Sequence, residues 1–198
     1  MKHLIVVAHP NAKSFTHALA DAYAAELVTM GHEFECRDLY AMGFNPVLQA
    51  SELNAQALAD AQAEQEFVKT ADATAFFYPL WWASMPAILK GYIDRVFTHG
   101  VAYRFEGNVM RGLLKGRTNL LVTISAAPRR VMQEAGEWDA IRAIQDNHIF
   151  HSVGLTLADH LHFGEVVPGM SATIARAHLE TIRAAAHRHF PPSGSRAA

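Results

Sequence analysis

Residues 73–97 read "ATAFFYPLWWASMPAILKGYIDRVF". The first eight form an unbroken apolar run without polar alternation, the mark of a strand buried on both faces of a parallel sheet. A helix follows over 86–98, with Pro86 suited to its first turn. Between them stand Trp81, Trp82, Ala83 and Ser84, more aromatic surface than a strand-to-helix turn needs. Outward from this unit the same alternation recurs. "HLIVVA" at 3–8 is a second buried strand, followed by a helix that Ser14 can cap, with Phe15, Leu19, Tyr23, Leu27 and Met30 at steps of three or four and Gly31 as its stop. A more polar strand is expected at 33–39, an alanine-rich helix at 51–70, strands at 118–125 and within 154–163, partial helix at 130–150, and a last helix from Ser171 to about 189.

Five strands alternating with helices predict an α/β fold, a doubly wound five-stranded parallel sheet with helices on both faces. With strand order 2-1-3-4-5 the chain reverses between strands 1 and 3, and a ligand crevice opens at their carboxyl ends. The loops that land there are "AHPNAKSF" and "YPLWWASMP".

Composition narrows the partners. The 198 residues are 51% apolar and 18% charged, enough for one core, so a single domain over 1–190 is expected, with a disordered tail at 191–198. A formal charge of -2 with scattered Lys and Arg shows no nucleic-acid footprint and no polybasic membrane patch, which leaves small molecules or protein. Cys36 is the single cysteine, so neither an internal disulfide nor a cysteine metal cluster can form. The N-terminal apolar run is too short for a signal peptide, and no run reaches the roughly 18 residues of a membrane span, so a cytoplasmic location is expected.

At the first loop, His9, Ser14 and the backbone N–H groups of a helix N-terminus suit an anionic phosphate, although Ser14 could equally serve as a cap alone. No Walker or GxGxxG turn occurs. At the second loop, Trp81 and Trp82 can offer an apolar wall and N–H donors to a planar ring such as a flavin, or can simply fill the core. His160 and His162 form an i, i+2 pair on one strand face without a third ligand, so no metal is expected. The sequence lacks a GxSxG elbow, and "AHP" stands where a phosphoacceptor receiver would need clustered aspartates.

Taken together, "AHPNAKSF", "DLYAMGFNPVL", "YPLWWASMPAILKGYIDRVF" and "GVAYRF" resemble the NAD(P)H:quinone oxidoreductase family of flavodoxin-like flavoproteins, which includes ancillary oxidoreductases of bacterial potassium-efflux systems. The likeness runs in order through roughly residues 3–125. It implies that His9, Ser14, Phe15 and Thr16 hold the ribityl and phosphate part of a flavin, and that Pro79, Leu80, Trp81, Trp82 and Ala83 hold its ring. Where the family often has Thr-Thr-Gly-Gly, this chain has "SAAPRR"; Ser125, Ala126 and Ala127 remain candidate contacts, while Pro128 lacks an N–H. A tyrosine and a histidine that assist hydride transfer in longer members line up with Gln133 and Asp139, so no catalytic side chain is assigned; His148 and His151 lie nearby without alignment.

The resemblance implies NADH or NADPH as reductant, a quinone-like acceptor and ping-pong kinetics. The short loop after the second strand and the short C-terminus favour FMN over FAD. A regulatory role, binding a membrane transporter of the potassium-efflux kind, is the alternative; an electron-carrying flavodoxin is disfavoured by the weak net charge. The helix at 86–98, apolar at 88, 89, 92, 93, 96 and 97, carries a stripe wide enough to leave apolar surface outward. Tyr103 and Phe105 share side-chain parity in the following segment. In the family this segment crosses a two-fold interface, which implies a homodimer in which Tyr103 and Phe105 wall the partner's acceptor pocket.

Overall fold

The computed structural model describes residues 1–53 and 58–194. Five parallel strands form the main sheet: β1 (Lys2–Val7), β2 (Glu33–Asp38), β3 (Ala73–Pro79), β6 (Thr118–Ile124) and β7 (Thr156–Phe163), in the order β2-β1-β3-β6-β7. Two further strands, β4 (Tyr103–Glu106) and β5 (Val109–Gly112), pair antiparallel as a separate hairpin. The doubly wound five-stranded sheet agrees with the reading of the sequence. The expected 2-1-3-4-5 does not carry over as a chain numbering, because the hairpin was not counted. Its signal was present. Gly107 (φ 62°) and Asn108 fill a two-residue loop between the paired Glu106 and Val109, a Gly-Asn hairpin turn.

Period-two alternation splits the strands between two cores. On one face Leu4, Val6, Phe76, Tyr78 and Leu121 pack under α2 (Ala59–Thr70), α3 (Ala87–Val96) and the helical region after 128, with Tyr92, Trp138 and Phe150. On the other, Ile5, Val7, Phe77 and Val122 pack under α1 (Phe15–Thr29) and α6 (Ala172–His189), with Leu19, Tyr23, Ile182 and Phe190. Both faces are covered, which is why β1 and β3 need no polar alternation.

Several local expectations shift. The helix expected over 51–70 is a 3-10 turn at Ala50–Glu52 and then α2; residues 54–57 of that expectation lie outside the described residues. The segment 130–150 divides into α4 (Arg129–Glu134), α5 (Glu137–Arg142) and a π-helix over Ala143–His151, with the break between α4 and α5 at Gly136 (φ 76°). The stripe on α3 leaves no apolar surplus facing outward. Residues 88, 89, 92, 93, 96 and 97 are all buried within the chain, because the loop after β2 crosses that helix. A Cβ at Gly91 would lie 2.1 Å from the Pro46 carbonyl oxygen. The buried Arg95 fastens the same loop, donating to Glu52, to Asp60 and to the Asn45 carbonyl. In the segment expected to be a free tail, Ser193 donates from its backbone to Met30 O and from its hydroxyl to Gly31 O, and residues 195–198 lie outside the described residues.

Candidate active site

β1 and β3 end side by side, and the chain leaves them toward opposite faces, α1 on one and α3 on the other. Their carboxyl ends open into a crevice of about 550 Å³. Of the residues singled out in the sequence, His9, Ser14, Phe15, Pro79, Leu80, Trp81, Ser125 and Ala126 line it. A second cavity, about 520 Å³, lies at the amino-terminal ends of the strands beside Met1, His32 and Asp72. Ligands of open parallel sheets bind at the carboxyl ends, so the first is the candidate site.

The loop after β1 is built around one cap. Ser14 is in extended backbone (φ -74°, ψ 160°) and its Oγ accepts from His17 N at 3.3 Å. The same hydroxyl lies 2.8 Å from His17 Nδ1, and His17 Nε2 lies 2.8 Å from Asp38 Oδ2, so the carboxyl ends of β1 and β2 are tied through one imidazole. Asp38 Oδ1 accepts from the backbone N–H groups of Tyr40 and Ala41, which fixes it in turn. His9 Nδ1 accepts from Asn11 N, and partial burial lowers its pKa below the usual value, so the ring faces the crevice neutral. Thr16 points inward: its Oγ1 is buried with no hydrogen-bond partner among the described residues. As in any helix, the first N–H groups of α1 have no intrahelical acceptor.

After β3, Trp81 N donates to Ser84 O at 2.9 Å and Ser84 N to Trp81 O at 3.1 Å, closing a four-residue turn. Its two central residues, Trp82 (φ 53°) and Ala83 (φ 56°), are left-handed without being glycine, a type I′ arrangement that costs of order 1–3 kcal/mol per residue. This answers why two tryptophans stand together. Trp81 is turned to the crevice wall and lies 6.1 Å from the His9 ring, while Trp82 is 100% exposed. Trp82 and Ala83 therefore do not line the cavity within one chain, although the turn leaves both backbone N–H groups without an internal acceptor.

The loop after β6 turns inward. Ser125 Oγ donates to the Ala127 carbonyl at 2.9 Å and lies 3.1 Å from His162 Nε2. Gly164 permits the close approach of the loop after β7, since a Cβ there would lie 2.7 Å from Ala127 O. His160 and His162, set apart in the sequence as a pair, share Thr123 Oγ1, which is 3.2 Å from His160 Nε2 and 3.0 Å from His162 Nδ1. Gln133 and Asp139 are exposed, as are His148 and His151.

Sequence reasoning missed Asn11, Val166, Val167, Pro168 and Met170 in the lining, and His17 with Asp38 behind Ser14. The loop after the last strand opens on the same side as the others, so its apolar "VVPGM" was a usable signal. The His17–Asp38 link joins the first turn of α1 to the end of β2 and left none.

The surroundings fit a flavin. Phe15, Pro79, Leu80, Trp81, Ile124 and Val166 give an apolar wall, and Ser14 with the N–H groups at the start of α1 gives an anion its donors.

The family described as having a flavodoxin-like fold matches residues 1–188. A protein of Haemophilus influenzae named uncharacterized NAD(P)H oxidoreductase is 37% identical over 172 residues, which are 84% of this chain and 85% of that one. The human ribosyldihydronicotinamide dehydrogenase (quinone) is 33% identical over 156 residues, 68% of each. The solved NAD(P)H:quinone oxidoreductase from Methanothermobacter marburgensis superposes with a TM-score of 0.85 at 29% identity, covering 95% of this chain and 96% of that one. With the match running through the sheet, both helical layers and every loop of the crevice, the chain belongs to the flavodoxin-like fold family.

Proposed function

We propose that the chain is a cytoplasmic, flavin-dependent NAD(P)H oxidoreductase that passes two electrons to a quinone or a similar planar acceptor. The observation that carries this reading is the convergence of the loops after β1, β3, β6 and β7 on one apolar-walled crevice with unpaired donors, in a chain whose relatives are named NAD(P)H oxidoreductases and quinone dehydrogenases. A bound flavin supplies the redox chemistry, accepting hydride from the nicotinamide and passing it on. The protein binds and orients. His9, Ser14, Phe15 and Thr16 would hold the phosphate and ribityl part, with the Thr16 hydroxyl gaining the partner it lacks. Pro79, Leu80 and Trp81 would form the wall for the ring, and the strained Trp82–Ala83 turn keeps two backbone donors aimed outward. Ser125 and Ala126 would close the opposite side, with the Ala127 carbonyl behind them accepting from Ser125. Of the two flavins we favour FMN.

Reductant and acceptor would occupy the same crevice in turn, which makes the kinetics ping-pong. We further propose a homodimer. Its apolar surface is the hairpin, where Phe105 is 57% exposed beside Val109 and Met110, together with the fully exposed Trp82. Tyr103 and Phe105 pack edge to face with centroids 5.8 Å apart, a pair suited to wall the partner's crevice. The test is reconstitution. Purified protein should take up FMN, oxidise NADH or NADPH, and give parallel double-reciprocal plots with a benzoquinone. Protein that takes up neither flavin would end the reading.

A further inference from the structure

Behind Ser125 a line of polar side chains runs away from the crevice into the protein. Ser125 Oγ is 3.1 Å from His162 Nε2; His162 Nδ1 is 3.0 Å from Thr123 Oγ1; Thr123 Oγ1 is 3.2 Å from His160 Nε2; His160 Nδ1 is 2.7 Å from Asp146 Oδ1. Asp146 and His160 are buried, and the other carboxylate oxygen of Asp146 accepts from Arg142 Nε at 3.0 Å. Arg142 is half exposed, so the far end of the line is one side chain from solvent. Trp138 packs on both imidazoles, 4.7 Å from His160 and 5.4 Å from His162, with the Arg129 guanidinium 4.7 Å above its own ring, and shields the middle of the line.

Ser125 donates to the Ala127 carbonyl at 2.9 Å, so at 3.1 Å His162 Nε2 can donate to Ser125 in turn. Burial lowers the His162 pKa to about 4, which leaves its other nitrogen bare and able to accept from Thr123. Thr123 has one proton, and among the described residues it can give it to His162 Nδ1 at 3.0 Å, to His160 Nε2 at 3.2 Å or to the Leu161 carbonyl at 3.4 Å. Given to His162, it leaves Thr123 able to accept from His160 Nε2, and every donor of the line then points toward the crevice.

We propose that Asp146, His160, Thr123, His162 and Ser125 form a proton relay that carries one proton from the Arg142 side to the acceptor bound in the crevice. The inference rests on the functional reading above. Reduction of a quinone by a reduced nicotinamide consumes one proton from outside the pair: the nicotinamide loses a hydride, the quinone gains that hydride and one proton, and a hydroquinone results. In the relay the Ser125 O–H bond breaks as an O–H bond forms on the acceptor oxygen. His162 Nε2 gives its hydrogen to Ser125, Thr123 gives its own to His162 Nδ1, and His160 Nε2 gives its own to Thr123. One proton from solvent, entering on the Arg142 side, replaces the one that His160 gives up. At rest the Ser125 hydroxyl points to Ala127 O, and rotation about its Cβ–Oγ bond turns it to the crevice.

The test breaks the line at its one neutral, non-ring link. Flavin-loaded protein is reduced with dithionite and mixed in single turnovers with a benzoquinone, which needs a proton, or with ferricyanide, which takes one electron and none. In Thr123→Val the ratio of quinone to ferricyanide rates is expected to fall about tenfold, and Thr123→Ser to return it to within about twofold of the parent. A ratio unchanged in Thr123→Val, or one that Thr123→Ser does not restore, overturns the relay. Nitrogen-15 spectra of flavin-free protein give a second readout: His162 should carry its hydrogen on Nε2 and hold its neutral form at pH 7, and the Nδ1 tautomer would overturn the relay whatever the rates. Parent protein that takes up no flavin and reduces neither acceptor would instead remove the functional reading, a result distinct from either of these.

Discussion

At the amino-terminal end of the sheet, Tyr23 Oη, His3, His32 and the Pro191 carbonyl stand in line at 3.0, 2.9 and 3.0 Å. At the carboxyl end, Asp146, His160, Thr123, His162 and Ser125 stand in a line of the same kind. Both are built from histidines a sequence would not rank, and both are covered by aromatic rings, Phe190 over His3 at 4.7 Å and Trp138 over His160 at the same distance. Their ends differ. The first runs from a fully buried phenol to a backbone carbonyl, neither of which has a proton to give at neutral pH, and it holds α1, β1 and the 191–194 segment together. The second ends on a hydroxyl in a cavity. Chains of buried histidines are therefore told apart by what stands at their ends, and substitutions at the two ends of the sheet should separate stability from chemistry.

The largest expected effect is that of acid. Burial holds His3 at about 3 and His162 at about 4, against 6.5 for the free ring. Unfolded chains bind these protons first, so the stability contributed by both neutral rings is complete above about pH 7 and is lost as pH falls through the unfolded value. Between about pH 7.5 and pH 5, where most carboxylates are still ionised, the unfolding free energy should drop by roughly 3 kcal/mol, with His162 discounted for its partial exposure. Urea titrations at the two pH values measure it, and equal midpoints would show that the rings are not held neutral. His3→Leu, next in size, leaves Tyr23 and His32 short of a partner and should cost about 2 kcal/mol at neutral pH while flattening much of the acid loss. Turnover per folded molecule should stay at the parent value. A fall in turnover without a fall in stability would erase the contrast between the two ends.

Ser14→Ala tests the carboxyl end. Loss of the cap should cost about 1 kcal/mol, and loss of a phosphate donor should raise the flavin dissociation constant about tenfold. Isothermal titration with FMN separates the two, since an unchanged constant would leave Ser14 as a cap only.

The carboxyl end was also the more legible in the sequence, for a physical reason. Buried parallel strands write themselves as apolar runs, and the loops that follow them carry residues a turn does not need, so "AHPNAKSF" and "YPLWWASMP" stood out and their residues meet in the crevice. What stayed hidden depends on contacts between distant segments. The relay joins β6, β7 and the π-helix; the His17–Asp38 link joins α1 to β2; and the burial of the α3 stripe depends on the Pro46 approach to Gly91. The hairpin was a different failure, because Gly107–Asn108 was a local signal left unread. Trp82 was half legible: its loop was right, and its direction was set by a left-handed backbone that no residue preference announces.

That backbone gives the smallest effect and the sharpest sorting of the two ends. Trp82 is fully exposed, so Trp82→Ala removes no packed core and should change the unfolding free energy by no more than about 0.5 kcal/mol, where a core tryptophan would lose about 3–5. Alanine keeps the strain at φ 53°, whereas glycine relieves it. Trp82→Gly should therefore unfold about 1 kcal/mol later than Trp82→Ala, despite the greater freedom of glycine in the unfolded chain. Both variants should hold flavin less firmly if the turn presents Trp82 and its N–H groups to the ligand. Calorimetry at one fixed protein concentration, with FMN titrations alongside, reads both quantities. Glycine no more stable than alanine would show that the left-handed turn is not strained; alanine losing several kcal/mol would return Trp82 to the core and make the carboxyl end as structural as the amino end.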